Sequence, residues 1–106
     1  MRTQGIRLFA TITGITDENL RQLLVKFPLD EAELEGRTLY ISHDAAYFFI
    51  EDFMDHLEQL LDSDATGQVD LYDYGDWTLT RHRVGPEGLA VKVVNLNDVL
   101  ERYSRE

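Results

Sequence analysis

The chain has 106 residues, 43% of them hydrophobic and 28% charged, with no cysteine and a formal net charge of −10. That length holds one hydrophobic core rather than two; the missing thiols exclude disulfides, thiolate metal sites and cysteine nucleophiles; and the charge opposes binding to nucleic-acid phosphates or an anionic membrane. With no apolar run near the roughly 20 residues of a membrane span and no signal-like start, a single cytoplasmic domain over 1–106 is expected, without nucleic-acid or membrane partners.

Ile6, Leu8, Ala10 and Ile12 alternate with Arg7, Phe9, Thr11 and Thr13, which predicts a strand over 5–13. Gly14 breaks it. Thr16 then caps a helix that has Asp17 and Glu18 in its first turn and Leu20, Leu23, Leu24 and Phe27 at helical spacing, and Pro28 ends that helix. Residues 29–36 read as an acidic connection into a strand over 38–42. A right-handed βαβ unit with these two strands parallel is expected, a split pair being the alternative.

Asp44 as N-cap predicts a long helix over 45–62, with Ala46, Phe49, Ile50, Phe53, Leu57 and Leu60 in one stripe. Opposite them Glu51, Asp55, Glu58 and Asp62 fall on nearly a single line. Tyr47 and Phe48 flank that line, so 45–50 is apolar almost all the way round. Either the 28–36 segment or a partner chain is expected to cover it, a homodimer being the default.

Gly67, Gly75-Asp76 and Gly85-Pro86-Glu87-Gly88 are turn signals that make the last third a meander. A two-residue Gly-first turn at 75–76 places Tyr74 opposite Trp77, Tyr72 opposite Leu79, and Asp70 opposite Arg81. A type I turn at Pro86-Glu87 with a left-handed Gly88 returns Leu89, Val91 and Val93 to the face of Leu79, beside the aromatic cluster of Tyr72, Tyr74 and Trp77. A short helix over 97–104 carries Val99, Leu100 and Tyr103. The expected fold is α+β in the order βαβαβββα, with a mixed sheet, a C-terminal antiparallel meander and helices mainly on one face.

The charge has an address. Residues 30–64 hold eleven acids against one base, Arg37, and the other nine acids and nine bases cancel. The leading expectation is therefore a non-catalytic interaction or regulatory protein whose acidic segment 30–64 meets a basic protein, through Glu51, Asp55, Glu58 and Asp62 with Tyr47 and Phe48. Arg81, Arg83 and Lys92 form the one basic cluster, suited to an anion or to an acidic surface such as that of a second copy.

Residues 62–73, DSDATGQVDLYD, resemble an EF-hand calcium loop. The resemblance implies Ca²⁺ or Mg²⁺ held by Asp62, Asp64, Thr66, the Gln68 carbonyl, Asp70 and Asp73, with Gly67 at the sharp turn. The chain departs from the family where residues 74–84 read as strand, where Asp73 replaces the bidentate Glu, and where no second loop exists. The alternative is a polar turn followed by a strand from about Gln68, which splays Asp70 and Asp73 to opposite faces. His43, at a strand-to-helix junction, and His56, one turn after Asp52, are the candidates for acid–base chemistry in a small enzyme, though neither has a nucleophile beside it. Phosphate loops, Ser-His-Asp signatures and zinc motifs are absent.

Overall fold

A computed structural model describes residues 5–97, in which β1 (Ile6–Thr13), α1 (Asp17–Lys26), β2 (Glu31–Glu35), β3 (Thr38–Ala45), α2 (Ile50–Leu60), β4 (Thr66–Asp73), β5 (Thr78–Gly85) and β6 (Gly88–Asn95) follow one another. The six strands form one sheet in the order β2-β3-β1-β4-β5-β6, every neighbouring pair antiparallel. The fold is α+β, but the sheet is not mixed. The strands expected to lie parallel, β1 and β3, run antiparallel with Ile6 opposite Ala45.

The reason is a strand inside the segment read as a connection. Glu31-Ala32-Glu33-Leu34-Glu35 alternates, and the two-residue turn Gly36-Arg37 folds it onto β3, with φ 63° at Gly36, where no Cβ resists. The chain thus enters β3 from a hairpin and reverses its direction. α1 joins β1 to β2, which are parallel but separated by β3; α2 joins β3 to β4, which are parallel but separated by β1. Two split crossovers interlock, and the first strand of the chain lies in the middle of the sheet.

Helix α1 forms as its sequence predicts. The Thr16 hydroxyl accepts the Asn19 N–H at 3.1 Å, Asp17 and Glu18 sit in the first turn, and the helix is capped by Phe27 just before Pro28. Helix α2 begins at Ile50 rather than at 45. Pairing along the full length of β1 holds Asp44 and Ala45 in β3, where Asp44 meets Arg7 directly across the sheet at 2.9 Å instead of capping a helix. The three aromatics at 47–49 have only middling helix propensity, so the sheet prevails. Phe53, Leu57 and Leu60 are buried as expected, joined by Met54. Phe49, expected in the apolar stripe, is 60% exposed, while Phe48 turns in against Phe27, His43 and Phe53.

Both helices cover one face of the sheet. There Ile6, Leu8, Ala10 and Ile12 of β1, Leu39 and Ile41 of β3, and Val69 and Leu71 of β4 pack with Leu20, Leu23, Phe53, Leu57 and Leu60. The other face is open among the described residues. Reading across the registers, one row on it is Glu31, Ser42, Phe9, Asp70, Arg81 and Lys92, and the next is Glu33, Tyr40, Thr11, Gln68, Arg83 and Ala90.

The β4–β5 hairpin has the expected register, Tyr72 opposite Leu79 and Asp70 opposite Arg81. Its turn differs: Asp73 Oδ1 accepts the N–H groups of Gly75 and Asp76 at 2.9 and 3.0 Å, and the positive φ falls on Trp77 at 59° rather than on Gly75. The Trp77 indole N–H donates to Asn97 at 2.8 Å, which helps hold that conformation. In the β5–β6 hairpin Gly85 faces Gly88, so Val94 rather than Val93 lies opposite Leu79. Leu89, Val91 and Val93 consequently lie on the helix side and not on the face of Leu79, Tyr72 and the arginines, and all three are exposed. The expected helix over 97–104 falls, beyond Asn97, outside the described residues. Among those described, no helix is long and apolar enough to cross a membrane.

Candidate functional site

The acidic face of α2 is shorter than its sequence suggests and has acquired an aromatic end. Glu51, Asp55 and Glu58 are exposed on one line of the helix, with Asp52 exposed beside them, and no base follows in the last turn. Glu51 and Asp52 also stand in the first turn, where the helix dipole favours negative charge and no side chain caps the helix. Immediately before them Tyr47 and Phe49 are 68% and 60% exposed and meet edge to face at 4.7 Å. Tyr47, Phe49, Glu51 and Asp52 share the wall of a shallow recess of about 210 Å³ with Phe48 and Ile50. The partner residue expected at Phe48 is thus Phe49: the later helix start turned Phe48 into the core.

Asp62 leaves this surface. It lies beyond the helix end at Leu61, its N–H donates to the Gly14 carbonyl at 2.7 Å, and its carboxylate takes a bond from Arg37 at 2.9 Å. The same Arg37 nitrogen donates to Asp64 at 2.8 Å. The one base of the acidic segment therefore sits against the two carboxylates that the helix dipole would otherwise disfavour. Its bond and charge hold the Asp64 carboxyl below the usual carboxylate range and raise Arg37. A lowered folded pKa means stabilisation that is complete above the ordinary carboxylate range and is lost as pH falls through the lowered value. The Arg37→Gln variant should therefore differ from the parent in thermal midpoint near neutral pH and converge with it in acid. The pair is exposed, so the difference should be small and should shrink with added salt.

The remaining residues of the calcium-like stretch are not brought together. Thr66 to Asp73 is strand β4, in which Thr66, Gln68 and Asp70 point to the open face and Asp73 to the helix side. Asp70 is buried and accepts two bonds from Arg81, at 2.8 and 2.9 Å, while Asp73 holds the following turn. Gly67 is required by close approach and not by a loop, since a Cβ there would lie 2.6 Å from Ile12 Cα in β1. Among the described residues no three His, Asp or Glu side chains form a group that could hold a metal ion.

The basic cluster does assemble. Arg81 faces Lys92 across the β5–β6 ladder, Arg83 is next along the same face, and these line a recess of about 400 Å³ that reaches over the edge of β6 to Val91. His82, between the arginines, points the other way and is buried on the side of Val69 and Val91. Of the two candidate acid–base residues, His43 accepts the Asp30 N–H at 3.1 Å with its ring tilted against Phe48, and the His56 ring is tilted against Phe27. Neither ring lines any of the recesses named above.

Sequence reasoning missed Arg37 as the counter-charge and Phe49 as the exposed aromatic. The first was signalled by its being the lone base in 30–64; the second depended on where α2 starts, which the sheet decides. Comparison with protein-family models, with curated proteins and with solved structures gives no match.

Proposed function

We propose that this protein is a non-catalytic interaction module whose α2 face docks a basic protein partner. The observation that carries the reading is the adjacency of an exposed aromatic pair, Tyr47 and Phe49, to a line of carboxylates, Glu51, Asp55 and Glu58, that pairs with no base among the described residues. Aromatic anchors supply desolvated contact area and slow dissociation; a rim of one charge sign steers encounter and selects the partner's sign. Asp62 is left out of the surface because Arg37 occupies it.

The test is affinity capture at low ionic strength with the full chain as bait, followed by association kinetics with the captured protein. Reversing Glu51, Asp55 and Glu58 to lysine should slow association by about tenfold or more, an effect that fades as salt screens the charges. Tyr47→Ala with Phe49→Ala should instead speed dissociation. Equal capture by the charge-reversed variant, with its fold intact, would sink the reading, as would no capture by the parent at low salt.

A further inference from the structure

The open face of the sheet carries its own charge pattern. The β2 edge presents Glu31, Glu33 and Glu35, all exposed, and the opposite side presents Arg83 of β5 and Lys92 of β6, beside Arg81, which is bonded to Asp70. Between them lie Phe9 and Tyr40, 39% and 42% exposed, with the Phe9 ring edge-on to Tyr72 at 6.0 Å. Apart from Asp70, which Arg81 neutralises, acid, aromatic and base thus follow one another across six strands.

Such a pattern is complementary to itself. Turning a second copy over about an axis parallel to the strands, midway between β1 and β4, lays open face on open face and brings the β2 side of one over the β6 side of the other. Each row then meets itself reversed: Glu31 opposes the second copy's Lys92, Tyr40 its Arg83, and Thr11 its Gln68, while Phe9 lies near the axis. Stacked sheets commonly cross at about 30°, which moves an edge residue ~12 Å from the axis by ~6 Å, within reach of a glutamate and a lysine. The helix layers face outward in this arrangement, so the negative α2 faces stand far apart and remain free.

We infer that two copies of this chain associate through their open sheet faces as an isologous pair, held in register by acid-edge to base-edge contacts. Pairing edge to edge through β2 would set its three glutamates against each other, which charged edge strands serve to prevent. The inference stands apart from the proposed α2 function, whose residues lie on the other side of the molecule.

Sedimentation velocity of the full chain over a micromolar to millimolar series tests it. The parent should dimerise, and less so at high salt. Glu31→Lys alone and Lys92→Glu alone should each weaken the dimer about tenfold or more, because each places like charges opposite one another twice. Mixing the two variants should restore it, since every such contact in the mixed pair joins opposite signs. Both side chains are exposed, so at concentrations low enough for the parent to be monomeric both variants should unfold at the parent's temperature. Should one fail to fold, Glu31→Cys and Lys92→Cys chains should be linked to each other by a short bismaleimide and not to themselves, and the cysteine-free sequence gives that reaction no background. A parent monomeric throughout overturns the inference. So does a dimer indifferent to both charge swaps, and its loss in Val91→Lys would move the contact to the edge of β6.

Discussion

Phe53→Ala should lower the unfolding free energy by about 3–5 kcal/mol, the usual cost of emptying a fully buried aromatic site. Phe53 is fully buried, and its ring meets Phe27 at 5.3 Å and Phe48 at 5.2 Å, so the site joins the end of α1, the loop before α2 and α2 itself. These walls belong to separate elements tied down by the sheet, which limits how far they can collapse into the space. For a domain of this size that loss approaches the whole stability of a marginal protein and should pull the thermal midpoint down by roughly 15 °C or more. Phe48→Ala should cost a smaller part of the same energy, and Phe49→Ala should fall within about 0.5 kcal/mol of the parent. Chemical denaturation of the three variants tests the start of α2 directly: a helix from residue 45 would make Phe49 the costly one and Phe48 the neutral one.

The second large effect should come from Gly67. A Cβ there would collide with the Thr11 carbonyl oxygen and lie 2.6 Å from Ile12 Cα, and these are backbone atoms of β1, clamped between β3 and β4. Neither strand can give way without disturbing the other pairing. Gly67→Ala should therefore cost about 3 kcal/mol or more, the upper part of the range for overpacking. Gly36→Ala is the control: φ is 63° there but nothing lies within 4 Å, so only the left-handed conformation is penalised, by about 1 to 2 kcal/mol. Equal losses in the two variants would count against a close approach of β1 and β4 at Gly67.

Much of this fold is legible where one local signal stands uncontested. The alternation of 6–13, the Thr16 cap and the register of Tyr72 with Leu79 and Asp70 with Arg81 are all read correctly from residues alone. The misreadings arise where two signals compete. Glu31-Ala32-Glu33-Leu34-Glu35 has the period of a strand, but glutamate is depleted in strands, and the composition obscured the period. Asp44 has the chemistry of an N-cap, but pairing with β1 holds it in the sheet. That second contest also set the outcome for the candidate site, since it exchanged the roles of Phe48 and Phe49, whereas Asp62 left the acidic line because the helix ends before it and Arg37 binds it. The calcium-like spacing at 62–73 was legible as a pattern but not as a structure, because spacing along a chain says nothing of whether the backbone curls around an ion or extends beside β1.

The interlocked crossovers carry a consequence for how the molecule comes into being. β1 is made first, yet its partners arrive late: Ile6 pairs with Ala45 on one side and with Asp73 on the other. A nascent chain cannot complete the centre of its sheet until β4 has left the ribosome, and α1 must wait with its apolar face unpartnered in the meantime. Contacts between such distant residues tend to form slowly, on the millisecond to second scale. Refolding should accordingly be a single slow step without a stable N-terminal half, and a fragment ending before residue 66 should behave as an unfolded chain.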